Sequence, residues 1–366
     1  MKKVSMIALA LVISLSLSLS AVSVAIAADV PTGVNVTGGT TTPPIIKAKW
    51  ERDLTANLED GDIGHAIPGS QFLPPGVYGG TKVVQYWVVV TDPEGVSTVE
   101  TVTVDVFHPV GPPEYGVFKY QVILTHVPKF ERGIPQFEKA DAAGLVHYNV
   151  GYDYAEVWNE LDKCTAEVYM GSEVLSYHQP CGDYKVVADA CDTGNAWAHE
   201  NGTDLENYFT YVCVPAFEVD FNALDYGNVS VCSEKWIAGD TVFDAPLAPA
   251  PDPNPATVRN IGNTDIKLTV HQDDMGFGYS GTTGTAYQGL RPPRVGESSW
   301  NVVFDARMGS DPANGMYYDP SVTVELPNTL PLCNTEELDF SIHIVKSTFG
   351  PHTGTITLGC VEVAFK

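Results

Sequence analysis

The groups in this chain best suited to chemistry are carboxylates gathered in loops. Glu59, Asp60 and Asp62 share one short stretch, Asp92 and Glu94 flank Pro93, and Asp189, Asp192 and Asn195 follow a later Tyr-led apolar run. Calcium takes roughly six to eight oxygen ligands, and inter-strand loops at one end of a β-sandwich can supply them. Asp60, Asp62, Asp92 and Glu94 are the expected set for such an ion, although none of the spacings is that of an EF-hand. Calcium is the one cofactor the sequence suggests; the same residues also suit solvated turns.

Other constellations are poorer. Gly276-Phe277-Gly278-Tyr279-Ser280-Gly281 satisfies G-x-G-x-x-G, but Thr282 onward offers no helix N-terminus to a pyrophosphate. Gly278 to Thr282 misses the nucleophile-elbow pattern at its last residue. His199-Glu200 lacks the second histidine of a zincin. Trp87, Trp197 and Trp300 could form a sugar-binding face, although tryptophans on strands usually belong to the core.

Seven cysteines suit an exported chain that uses disulfides. Cys333 and Cys360 are expected to bridge within the C-terminal region. Further bridges are expected among Cys164, Cys181, Cys191, Cys213 and Cys232, with connectivity left open and one thiol over. No CxxC pair is present, so zinc ribbons and thioredoxin-like chemistry have no support. Asn35, Asn201 and Asn228 head glycosylation triplets.

The elements that must position these groups read as strands. Val83 to Phe107 contains two strand signals, the second of period 2, around Asp92-Pro93-Glu94-Gly95, a turn signal, and is expected to be a hairpin. Val84, Tyr86, Val88 and Val90 load one face of its first strand and Trp87 and Val89 the other, which predicts an interior strand. Ile46, Ala48 and Trp50 alternate with Lys47 and Lys49 in an earlier strand. Phe118 to Val127 and Gly182 to Asp192 are further strands, with another around Tyr208 to Val214. Tyr154, Val157, Trp158 and Leu161 fall on one side of a short helix that Asp153 can cap.

Residues 1–27 have the form of a secretory signal: Lys2 and Lys3, an apolar run, then Ala25-Ile26-Ala27. Removing it takes the formal charge from −25 to −27, because only the two lysines are lost. Such acidity argues against nucleic acid and anionic lipid as partners. No later stretch suits a membrane-spanning helix. Residues 28–44 are a Thr/Gly/Pro-rich leader in which Val30, Val34 and Val36 could add as a strand to a neighbouring sheet.

Three β domains are expected after the leader: 45–110, 113–215 with the short helix, and 217–366 with a Pro-rich insertion at 245–255. Val77-Tyr78, Tyr86-Trp87-Val88-Val89-Val90-Thr91-Asp92 and Gly95 make the first resemble PKD-like and related Ig-like modules. In the third, Tyr226-Gly227-Asn228-Val229 and Val258-Arg259-Asn260-Ile261-Gly262-Asn263 resemble Hydin-type (ASH) modules. Asn260, Gly262 and Asn263 are there read as turn residues that tolerate positive φ. The chain as a whole is similar to secreted prokaryotic, especially archaeal, surface proteins built of such sandwiches. The fold expected is therefore mainly β, with tandem Ig-like sandwiches. The function expected is a secreted, non-enzymatic structural or adhesive element of the cell envelope, whose partners are itself or other envelope proteins. The alternatives are a calcium-dependent or carbohydrate-binding module and, third, a hydrolase using carboxylates from distant loops.

Overall fold

The computed structural model describes residues 42–53, 71–72, 74–109, 116–244, 247–251, 255–279 and 300–363. The chain is mainly β, with several antiparallel sheets. The first nine strands are β1 (Ile45–Asp53), β2 (Gln71–Phe72), β3 (Thr81–Thr91), β4 (Val99–Phe107), β5 (Phe118–Val127), β6 (His147–Tyr148), β7 (Ala166–Ser176), β8 (Gly182–Asp192) and β9 (Leu205–Tyr211). They join in one sheet of order β2-β9-β8-β4-β5-β7-β3-β1-β6.

This sheet folds on itself at β5. Phe118 to Leu124 pair with β4, whereas Thr125 to Val127 pair with β7. The two halves then face one another, and Val84, Tyr86, Val88 and Val90 of β3 share a core with Val102, Val104 and Val106 of β4. The far side is drawn together where the Ile46 amide donates to the Thr203 carbonyl at 3.0 Å.

Two expectations are corrected here. Residues 45–110 and 113–215 are not separate sandwiches, because β3 pairs with β7 and β4 pairs with β5 and β8. Nor do β3 and β4 form a hairpin. The Asp92–Gly95 turn is present, with Gly95 N donating to Asp92 O at 2.9 Å, but the chain crosses there from one half of the sandwich to the other. Both strands carry a β-branched stripe, and stacking the stripes face to face buries more apolar surface than laying them side by side.

The other face of β3 is also covered. Helices α1 (Ile134–Ala142) and α2 (Tyr154–Asp162) place Phe137, Val157 and Leu161 against Ala48, Trp50, Trp87 and Val89. Trp50 and Trp87 are register partners and stack at 5.5 Å. β3 is thus the doubly buried strand its composition predicted. The expected helix is α2, and Asp153 caps it by accepting from Glu156 N at 3.0 Å. Helix α1 is present in addition to the elements the sequence predicts.

Residues from Phe217 onward build different sheets around a second core. Their strands are β10 (Phe217–Val219), β11 (Phe221–Leu224), β12 (Ser233–Ile237), β13 (Ala248–Ala250), β14 (Thr257–Asn260), β15 (Ile266–Gln272), β16 (Val302–Met308), β17 (Met316–Tyr318), β18 (Thr323–Glu325), β19 (Thr335–Ile344) and β20 (Ile356–Glu362). A sheet of order β10-β14-β19-β16-β17, with β12 also on β19, faces β18-β15-β20. Leu268 and Val270 of β15 pack in the core with Phe304, Phe340 and Ile342. Within the Pro-rich stretch, β13 pairs with β11, in parallel.

The joint between the two cores is specific. Asn263 is wholly buried; its Oδ1 accepts from Val214 N at 2.7 Å and its Nδ2 donates to Val212 O at 2.8 Å. A side chain at Gly262 would place its Cβ 2.3 Å from Val214 O. Asn260, Gly262 and Asn263, read as turn residues that tolerate positive φ, are not at positive φ. The glycine permits close backbone approach, and the asparagines satisfy buried backbone groups.

Candidate functional site

A β-bulge in β1 creates the least expected cluster in the chain. Ile46 pairs with Val90 and Ala48 with Val89, so Lys47 is the extra residue. Past a bulge the alternation changes face. Ile46 therefore points into the sandwich while Ala48 and Trp50 point out toward the helices. Lys49 and Glu51, register partners of the inward Val88 and Tyr86, are left facing the interior.

Both are almost fully buried, and Lys49 Nζ lies 2.8 Å from Glu51 Oε1. Across the sandwich, β9 presents Leu205, Asn207, Phe209 and Tyr211 inward at alternate positions. Asn207 is the polar member of that row. Lys49 Nζ contacts Asn207 Oδ1, and Asn207 Nδ2 donates to Glu51 Oε2 at 2.7 Å. Val186, the register partner of Asn207 on β8, accepts from Lys49 Nζ at 3.1 Å. The three side chains thus close a ring of polar contacts inside an apolar core. Burial lowers the pKa of Lys49, against the opposing pull of Glu51. Burial raises Tyr86, whose Oη lies 2.7 Å from that of Tyr120.

The carboxylates behave differently from expectation. Asp60 and Asp62 lie outside the described residues. Asp92 and Glu94 are joined by Asp192: one carboxylate oxygen of each lies within 4.8 Å of the others. The β4–β8 pairing holds the two turns together, with Thr193 N donating to Thr98 O at 2.8 Å. Asp92 is buried, and its Oδ2 has no hydrogen-bond partner. Burial raises its pKa, whereas the Glu94 carboxyl is lowered first by its hydrogen bond with Thr42. Asp189 turns away to His199, 2.5 Å from its Nδ1, and Asn195 occupies a left-handed turn position.

The cysteines also require correction. Cys181 and Cys213 form the bridge, whereas Cys333 and Cys360 are free thiols, as are Cys164, Cys191 and Cys232. Cys360 lies on β20 opposite Leu268 and packs against the second core. Cys333 sits in a left-handed loop position, and its Sγ lies 2.8 Å from Tyr177 Oη of the first sandwich. The two sulfurs therefore belong to different surroundings despite their common region.

Asn201 and Asn228 are exposed, and Asn35 lies outside the described residues, as do the leader valines and the signal segment. Trp87 is buried against Trp50 and cannot serve a sugar-binding face. Among the described residues, no helix is long and apolar enough to cross a membrane.

No family model matches the chain, and no curated protein matches it. Among solved structures it is similar to the CsuC-CsuE chaperone-tip adhesion subunit pre-assembly complex from archaic chaperone-usher Csu pili of Acinetobacter baumannii. That likeness has 10% identity over 80% of this chain and 97% of the other, with a TM-score of 0.26. It is also similar to a chaperone-tip adhesin complex of CFA/I fimbriae biogenesis, at 6% identity over 89% and 92% of the two chains and a TM-score of 0.25. Both likenesses are too slight to carry an argument about function.

Proposed function

We propose that this chain is an extracellular, non-enzymatic structural or adhesive protein of the cell surface, associating with copies of itself or with other envelope proteins. The observation that carries this reading is the braced joint between the two cores. The Cys181–Cys213 bridge lies beside Val212 and Val214, the backbone groups that Asn263 holds, and Cys181 N donates to Asn263 O at 3.1 Å. Disulfides of this kind persist in oxidising surroundings. A joint fixed by a bridge and by saturated backbone hydrogen bonds suits a part that must hold its shape. Labelling intact cells that make the protein with a membrane-impermeant amine reagent tests the location. Modification in intact cells is the expected result, and modification only after lysis contradicts it. Loss of cell cohesion or attachment on deleting the gene tests the role.

A second reading, divalent-cation binding, is favoured by the orphaned Asp92 Oδ2 beside Glu94 and Asp192. Calcium would offset two of the three negative charges and stabilise the native form by mass action. Millimolar calcium should raise the melting temperature of the wild type, and Asp192→Asn should abolish the rise. A melt indifferent to calcium and chelator contradicts this reading.

A further inference from the structure

Lys49, Glu51 and Asn207 hold a nucleophile, a proton carrier and an amide in contact, in a place that water does not reach. All three are at most 3% exposed. The amine touches the Asn207 amide oxygen, and Glu51 bridges amine and amide, one oxygen on Lys49 Nζ at 2.8 Å and the other on Asn207 Nδ2 at 2.7 Å. An isolated buried ion pair would need only two of these residues. Here the third is a carboxamide whose nitrogen is already directed at the carboxylate.

We propose that Lys49 and Asn207 become joined by an isopeptide bond, formed once by the folded chain, with Glu51 as the proton carrier. The Lys49 ammonium first passes a proton to Glu51, leaving a neutral amine and a neutral acid. The Nζ lone pair attacks Asn207 Cγ, and the carbonyl electrons move onto Oδ1. Glu51 delivers its proton to Nδ2, the Oδ1 electrons return, and the Cγ–Nδ2 bond breaks with release of ammonia. The second proton on Nζ passes to Glu51, which ends neutral beside the new amide. Five hydrogens on the two nitrogens at the start become one on the amide, three on ammonia and one on Glu51. No oxidant, nucleotide or second protein takes part.

The surroundings favour each step. Desolvation makes a lysine a better nucleophile by favouring its neutral form. Holding the reacting groups in contact replaces a bimolecular encounter, and effective molarities in such arrangements reach about 10⁵ M or more. Leu205 and Phe209, the inward neighbours of Asn207 on β9, keep the site apolar and exclude competing water. The bond would tie the first strand of the sandwich to its ninth. This inference does not depend on where the chain resides, so its test is separate from that of surface location.

The test is mass spectrometry of the purified, reduced wild-type protein before and after proteolysis. The intact mass should fall short of the mass calculated for the chain with its observed termini by one ammonia, about 17 Da. The digest should contain a branched peptide joining the Lys49 and Asn207 segments, which separates this loss from asparagine cyclisation elsewhere. Linear peptides carrying unmodified Lys49 and Asn207, at full intact mass, would overturn the proposal whatever any variant does. Asn207→Ala and Lys49→Arg should each abolish the branched peptide. Glu51→Gln, shown to be folded by circular dichroism, should leave it absent or form it far more slowly. Wild-type yield of the branched peptide in Glu51→Gln would overturn the role of Glu51.

Discussion

Lys49 on the first strand meets Asn207 on the ninth, 158 positions later, across the interior of one sandwich. The contact closes most of the first body into a single loop. Whether this closure is held by polar contacts or by a covalent bond sets the behaviour of the protein under denaturant and under force.

Denaturant separates the two contributions. Lys49→Met removes the cross-link and strands Glu51 in the core, where an uncompensated charge costs about 3–5 kcal/mol. Lys49→Met combined with Glu51→Leu removes that second penalty. A cross-link closing a loop of this size contributes roughly 5 kcal/mol in the chain-entropy picture. In urea unfolding the double variant should therefore recover part of the loss of the single one and remain below the wild type by about that amount. A double variant as stable as the wild type would mean that no bond forms.

The joint gives a second expectation. Gly262→Ala drives a Cβ toward Val214 O and Ala216 N, at 2.3 and 2.7 Å, both backbone atoms that cannot swing aside. Asn263→Ala strands the Val214 amide and the Val212 carbonyl, at about 1–3 kcal/mol for each group left unsatisfied. Both variants should be cut faster by protease near residues 212–216 while the β1–β9 sandwich keeps its protection. Unchanged cleavage in both would show that the joint is held elsewhere.

A pH dependence follows from His199. Its hydrogen bond to Asp189 raises its pKa above the ordinary histidine value of 6.5. The folded form then binds the proton more tightly than the unfolded form. The contribution is fully present below pH 6.5 and is lost as the pH rises through the raised folded value. A histidine NMR titration should show His199 above 6.5 in the wild type and returning toward it in Asp189→Asn. An unchanged midpoint would contradict the pairing.

Much of this fold is legible in residue alternation, and the illegible part has a definite cause. Period 2 marks β4, β5 and β8, a run apolar on both faces marks β3, and the Asp153 cap with the Tyr154 to Leu161 stripe marks α2. Alternation says which residues share a face but not which strand lies beside them. The same Asp92–Gly95 turn serves a hairpin or a crossing between sheets, so β3 and β4 read as partners when they face one another. The interior position of Lys49 is hidden in the sequence for a related reason. Ile46, Ala48 and Trp50 look like one face until the bulge at Lys47 divides them, and only then does Lys49 become an interior residue. The available signal was on β9, where Asn207 interrupts the inward row Leu205, Phe209 and Tyr211. The Cys181–Cys213 bridge depends on a long-range meeting of strands that spacing does not encode. Helix α1 has Ile134, Phe137 and Ala140 at helical spacing, but an apolar stripe over only 9 residues is a short signal.

The most direct measurement of a covalently closed, shape-holding body is single-molecule extension of the full chain in reducing buffer, pulled from its ends. With Lys49 and Asn207 joined, the 158-position span between them cannot lengthen. At about 3.4 Å per extended residue, the contour length should fall short of that of the Lys49→Met chain by about 500 Å. Equal contour lengths for the two chains would contradict the account.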